Sequence, residues 1–392
     1  MTLSSDKSSE LIYSCLFKVL SNEDKKTLLN LIIENRINHA NRNKIPVTFI
    51  TNEGLTAKLS LLLPALTVGT NIQMPMILGL GQPERKILLH HLRQLKNFSL
   101  YQSAEKGKQR TLSNKTRYIS PPLKIEKIIN KKVFKPENAD NHFLAAAVIN
   151  LLLCRPEAVF FLLSFGPGRI LENYETCHRS ALKLMDICNM IDIKGAYMMI
   201  YLDRPLGSAL GSGLELKEVL DTSEGKGPHD LLKLAVEICA ELMFLTEIFS
   251  DKNRAKFHIK QQILNNKASH ELERIWRLPK SAFLSFYLKS KPSNAPLRSM
   301  HSRSQVSGFI QPFSAAKIVQ LQELILKKRN IFGVFFNKKT GEKVTNGNTL
   351  ATVFFTEESG LNNILENIRS LFHIEMQIPD FRPLIIKRGS TN

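Results

Sequence analysis

The chain has 392 residues, 43% of them hydrophobic, which is enough to bury a sizeable core in two or three domains and excludes a disordered polymer. A formal charge of +19 favours anionic partners such as phosphate esters, nucleic acid or acidic lipid, and the sign alone does not choose among them. The five cysteines (15, 154, 177, 188 and 239) form no CxxC pair and have no histidine at zinc-ligand spacing, so neither a disulfide framework nor a metal is expected, and a reducing, cytoplasmic setting is.

Residues 9–36 carry apolar residues at helical spacing on both sides of Ser21-Asn22-Glu23-Asp24, where Ser21 can cap a second helix. The amino terminus is polar through Glu10, so no signal peptide is expected. From Val47 to Gly81 the pattern predicts a strand, a loop at 51–54, a helix from Leu59 to Val68, and a short strand from Met74 to Leu80 that runs into Gly79-Leu80-Gly81. That alternation is the grammar of a parallel α/β layer.

Ten basic residues and only Glu126 in opposition lie between Lys106 and Lys135. This segment reads as a solvated loop or as a nucleic-acid footprint, the second disfavoured by its scarcity of aromatic stacking partners. Nucleic acid is accordingly not expected as a partner.

Phe143 to Phe165 is the most apolar stretch, but Cys154-Arg155-Pro156-Glu157 divides it into pieces too short to span a bilayer. It predicts a buried helix, a turn and a buried strand, and no membrane partner. The βα pattern then repeats through the Gly166-Pro167-Gly168 turn, a helix around 172–190 and the strand "GAYMMIYL". Successive units of this kind place their turns at the carboxyl ends of parallel strands, where a site belongs.

A long helical region follows to about Trp276. Residues 288–305 are rich in Ser and Pro, basic and free of acids, and predict a linker or mobile loop. The last segment alternates with period two, and Gly341 and Gly347 bracket a hairpin pattern. The expected architecture is α/β: a helical lobe (1–44, completed by helices after 144), a parallel-sheet domain (45–287), a basic linker (288–303) and a carboxyl-terminal α+β domain (304–392).

The stretch "YLDRPLGSALGSGLELKEVLDTSEGKGPHDLLKLAVEICAELM", residues 201–243, resembles the pyrimidine nucleoside phosphorylase and thymidine phosphorylase family. Pro205, Leu206, Gly207, Gly211, Glu215, Lys217, Glu218, Gly225, Gly227, Pro228, Asp230 and Leu231 fall on the family's pattern there. More thinly, "LFKVLSNEDKKTLLNLIIEN", "GLGLG" and "GEKVTNGNTLATVFF" are similar to its helix pair, its glycine loop and its carboxyl-terminal domain. The hairpin tip in the last carries no lysine for lipoyl or biotin attachment, and no cofactor is implied.

The resemblance implies phosphorolysis: inorganic phosphate attacks the anomeric carbon of a pyrimidine nucleoside and releases the base and a pentose 1-phosphate. Such a site needs donors around the phosphate and positive charge near the leaving base. In register with the family's Lys-His-Ser-Thr-Gly-Gly loop stand Phe49, Ile50, Thr51, Asn52, Glu53 and Gly54, followed by Ser60. The hydroxyls of Thr51 and Ser60 survive, the lysine and histidine have become apolar, and Glu53 would repel a phosphate.

Lys86 stands in the second phosphate loop. The family's base-binding serine, lysine and arginine fall at Ala146, Asn150 and Lys131, and the Asp and Lys before its Gly-x-Gly turn at Leu162 and Ser164. The implied phosphate contacts are thus Thr51, Ser60 and Lys86, and the implied nucleoside contacts Lys131, Asn150, Gly79 and Gly166, with no catalytic residue assigned. The family's opening dimer helices have no counterpart before Ser9, so the usual family interface is expected to be truncated, and a homodimer is left open. Three readings stay open: a weak or inactive pseudoenzyme, an active enzyme with a rebuilt site, and a basic nucleic-acid or protein-binding module. The glycines read as tight βα turns or as a ligand cradle.

Overall fold

A computed structural model describes residues 47–51, 56–70, 76–77, 143–144, 147–148, 151, 156–276, 297–328 and 330–391. The predicted helical hairpin at 9–36 and the basic segment at 106–135 lie outside the described residues.

The first sheet has five strands. They are β1 (Val47–Thr51), β2 (Met76–Ile77), β3 (Ala158–Phe165) and β4 (Lys194–Tyr201), joined at the edge by a strand from the end of the chain, Ile385–Ser390. β1 pairs in parallel with β2 and β3, and β3 with β4, so the strands expected near Val47, Met74, Val159 and Met198 share one sheet and one direction. The run "AVFFLLSF" is buried at all eight positions of β3, as a strand covered on both faces must be.

Period two divides those side chains between two cores. Phe160, Leu162, Met198 and Ile200 face one set of helices: α1 (Thr56–Leu66), α3 (Ser212–Ser223), α4 (His229–Leu245), α5 (Lys252–Leu264) and α6 (Lys267–Trp276). Val159, Phe161, Leu163, Tyr197 and Met199 face α2 (Tyr174–Met190) and the helical residues around 143–151. Asn173 caps α2 by accepting a hydrogen bond from the Thr176 N–H at 2.9 Å.

The carboxyl-terminal segment adds an antiparallel sheet of β5 (Ala209–Leu210), β8 (Ile331–Phe336), β10 (Thr349–Phe355) and β6 (Arg298–Arg303), in that order. A smaller sheet holds β7 (Gly308–Ile310), β9 (Lys343–Val344) and β11 (Ile374–Glu375). Helices α7 (Ala315–Lys327) and α8 (Leu361–Leu371) pack a third core against Val334, Phe336, Ala351 and Val353.

Two features differ from expectation. Residues 298–303, within the stretch expected as a linker, form β6, because β10 supplies an antiparallel partner for a sequence whose own strand propensity is weak. The last strand, β12 (Ile385–Ser390), leaves the carboxyl-terminal region altogether and pairs antiparallel with β4.

Candidate functional site

The carboxyl ends of β1, β3 and β4 are brought side by side by their register, Thr51 opposite Leu162 and Phe165 opposite Tyr201. Thr51 is the last residue of β1 and Ser60 stands in the second turn of α1. The side chains of these two lie outside the described residues, as do Gly79, Lys86, Lys131 and Asn150 altogether. Gly166 is described, directly after β3.

Gly166 has φ +146°, and a Cβ there would stand 2.6 Å from the Leu202 carbonyl oxygen. The turn is closed by main chain: the Gly166 N–H donates to the Leu171 oxygen at 3.3 Å, and the Ala315 N–H donates to the Pro167 oxygen at 3.1 Å. Gly207 has φ +71°, and a Cβ there would meet the Glu218 carboxylate at 2.3 Å. Close approach of backbone or side chain is by itself a sufficient reason for glycine at both positions.

Lys58 and Glu218 form the densest polar contact of this region, and sequence reasoning missed it. Lys58 is 8% exposed; its Nζ donates to the Leu206 oxygen at 2.8 Å, the Ala209 oxygen at 2.7 Å and Glu218 Oε2 at 2.5 Å. The other carboxylate oxygen accepts the Ser208 and Ala209 N–H groups at 2.6 and 3.0 Å. All three ammonium protons are thereby committed, which leaves Lys58 none for a ligand anion. Glu218 belonged to a matched motif, but nothing in local sequence pairs it with a residue 160 positions away.

At the end of β4, Asp203 is 3% exposed. Arg204 Nε lies 3.4 Å from Asp203 Oδ1, within ion-pair reach but not aligned as a hydrogen bond, and among the described residues that oxygen has no hydrogen-bond donor. Burial pushes the Asp203 carboxyl above its ordinary pKa, opposed by the charges of Arg204 and Arg169. The Asp203 carbonyl accepts the Phe313 N–H at 2.7 Å and the Thr340 hydroxyl at 2.9 Å, which ties this turn to the carboxyl-terminal segment. Arg169 Nε donates to the Leu202 oxygen at 3.0 Å, and Arg382 lies over the Tyr201 ring at 5.1 Å.

Leu162 and Ser164, the two β3 residues that the sequence resemblance singled out, are each 0% exposed. His178 Nε2 lies 2.9 Å from Lys387 Nζ, and its ring stacks on Tyr174. The thiols of Cys188 and Cys239 are pushed up by burial, that of Cys188 to about 12, which withholds the thiolate needed for nucleophilic attack. Among the described residues no group of three or more His, Cys, Asp or Glu side chains could hold a metal ion, and no helix is long and apolar enough to cross a membrane.

No family model matches the chain. It is similar to curated proteins named pyrimidine-nucleoside phosphorylase. One, from Staphylococcus haemolyticus, is 20% identical over 389 residues, 95% of this chain and 89% of that protein. Those from Bacillus subtilis and Geobacillus stearothermophilus are 24% and 22% identical over 226 residues, about half of each chain.

Proposed function

We propose that this chain is a divergent member of the pyrimidine-nucleoside phosphorylase family that keeps the scaffold of phosphorolysis and has lost most of its catalytic power. The observation that carries this reading is the burial of Leu162 and Ser164. Both lie in β3, where the family places a charged Asp and Lys, and both are packed into the interior. No polar group at these positions can reach a ligand.

The phosphate loop points the same way: Phe49 and Ile50 replace the anion-binding pair, and Glu53 brings an opposing charge. A charge-assisted hydrogen bond contributes about 1.5–3 kcal/mol, so three or four losses remove roughly 5–10 kcal/mol of transition-state binding. That corresponds to several powers of ten in rate. In this proposal Thr51, Ser60 and Lys86 are the remaining phosphate contacts, and Gly79, Lys131, Asn150 and Gly166 line the nucleoside side. The protein works in the cytoplasm without a cofactor, as a pseudoenzyme kept for binding or regulation.

The test is phosphate-dependent release of free base from thymidine and uridine. The unmodified chain is expected to turn over very weakly. The combined variant Phe49→Lys, Ile50→His, Glu53→Gly and Asn150→Lys is expected to raise the rate by at least tenfold. Robust turnover by the unmodified chain would overturn the reading.

A further inference from the structure

We propose that β12 is a pH-sensitive latch on the edge of the first sheet, docked on β4 while His178 is neutral and loosened when His178 takes up a proton. None of the six residues of β12 is buried, so little apolar surface holds the strand in place. Ile385 and Ile386 pack against the margins of the two cores of the first sheet, and the rest of the strand, Lys387-Arg388-Gly389-Ser390, is polar or small. Its docking therefore rests on main-chain pairing with β4 and on side-chain contacts at its two faces.

On one face Arg388 donates to Glu237 Oε2 at 2.7 Å, and its Nε lies 3.6 Å from Glu241 Oε1. Lys256 and Lys252 hold the same two carboxylates from α5, each at 2.7 Å. On the other face Lys387 Nζ lies 2.9 Å from His178 Nε2 on α2. An ammonium has no lone pair, so it is the donor, and the contact exists only while His178 Nε2 is unprotonated. Protonation sets a second positive charge against the first and turns the bond into a repulsion. Among the described residues no carboxylate pairs with Lys387 or His178 to offset it. The titratable groups around the pair are Tyr174, Cys177 and Tyr197. Tyr174 stacks on the imidazole with ring centroids 5.4 Å apart. Burial pushes the Tyr197 phenol up, against the charge of Lys387 and with a smaller push from Tyr174 and Cys177. Histidine is the side chain whose charge ordinarily changes between about pH 5 and pH 8, so the contact carries its own sensor.

Stacking on Tyr174 holds the imidazole, and the strand is the partner that gives way, because an element with few buried apolar contacts opens at the low end of the local unfolding range. The docked position is a defined one: Gly389 lies against the Tyr197 ring, where a Cβ would come within 2.5 Å. Its loss reaches the carboxyl ends of the strands. The Leu384 oxygen, just before β12, accepts the Tyr201 N–H at 2.9 Å, and the Tyr201 ring lies 5.4 Å from that of Phe165, directly before Gly166. A loosened β12 thus leaves the end of β4, beside the candidate site, without its outer neighbour.

The test is hydrogen exchange of the full chain, read by mass spectrometry on peptides covering 384–391 and 158–165, at about pH 7.5 and about pH 5.5 with the intrinsic exchange rate divided out. Protection of the 384–391 amides is expected to fall about tenfold at the lower pH while β3 keeps its own. His178→Gln, whose amide oxygen accepts from Lys387 at any pH, is expected to hold that protection within about twofold across the range. Lys387→Met removes the like charge and is expected to flatten the response as well. Asp203→Asn is expected to keep the fall, which separates the latch from the Asp203 carboxyl. Equal protection at both pH values in the unmodified chain overturns the proposal, as does a fall that persists in either His178→Gln or Lys387→Met, that extends to β3, or that disappears in Asp203→Asn. None of these readouts depends on phosphorolysis, so the proposed function and the latch fail separately.

Discussion

Glu218 shows how a single charge can fall on a family motif and yet be spent on structure. Its carboxylate and the Lys58 ammonium share five hydrogen bonds at 10% or less side-chain exposure, which sets the pair apart from a surface ion pair contributing at most about 1 kcal/mol. Lys58→Met leaves a buried carboxylate with two backbone donors and is expected to cost about 3–5 kcal/mol in denaturant unfolding. Adding Glu218→Gln removes the stranded charge while its carbonyl still accepts from Ser208 and Ala209, and should recover a large part of that loss. If the double variant is no more stable than the single one, the pair is not coupled as the distances indicate. Asp203 gives a pH signature of opposite origin. Its pKa is raised in the fold, so its contribution is fully present below the unfolded carboxyl value of about 3.9 and is lost as pH rises through the folded value. Asp203→Asn cannot ionise; its stability relative to the unmodified chain should climb across that window and then level off. A flat difference from acid to neutral pH would contradict a raised Asp203 pKa.

Among the elements, β3 and β4 were legible because a strand buried on both faces must be a continuous apolar run, and "AVFFLLSF" and "AYMMIY" are. β12 was not. "IIKRGS" offers two apolar residues and two charges, and its partner lies nearly 190 positions earlier, beyond any local pattern. β6 was hidden for the same reason, since "RSMHSR" becomes a strand only when β10 is beside it. The glycines of the site were legible as a motif, but their reason, main chain or carboxylate a few tenths of a nanometre away, appears only in three dimensions. The placement of β12 makes its own prediction. It covers the edge of β4, with Arg388 bonded to Glu237 at 2.7 Å and the Thr391 N–H to the Gly195 oxygen at 2.8 Å. Removing residues from Ile385 onward uncovers a long apolar edge strand, and the shortened chain should aggregate on expression or on mild heating, as light scattering would show. A monomeric, heat-stable product would mean that β12 is dispensable.

For the molecule as a whole, the question is whether the carboxyl-terminal segment is a separate folding unit. Period-two sequence alone makes it look like one, set off by a basic stretch. The contacts argue for a single unit: β5 joins β8, β12 joins β4, and Phe332 is buried in the core built around the first sheet. The Phe336 N–H donates to the Ser208 oxygen at 2.7 Å, and Lys339 Nζ lies 2.8 Å from Asp230. Several of these bonds converge on residues 203–209, the turn that the Lys58–Glu218 pair also holds, so losing one side strips partners from the other. Unfolding should therefore be cooperative across the boundary. The single tryptophan, Trp276, is the last residue of α6, outside the carboxyl-terminal segment; the residues from 304 onward contain neither tryptophan nor tyrosine. Val306 is 53% exposed, so Val306→Trp places a second reporter in the carboxyl-terminal segment with little disturbance, in a chain whose Trp276 is replaced by Phe. Urea curves followed at Trp276 in the unmodified chain and at residue 306 in the variant are expected to share one midpoint and one slope. Midpoints that separate would show that the carboxyl-terminal segment unfolds by itself, and that the pairing of β12 with β4 and of β5 with β8 does not couple the two parts.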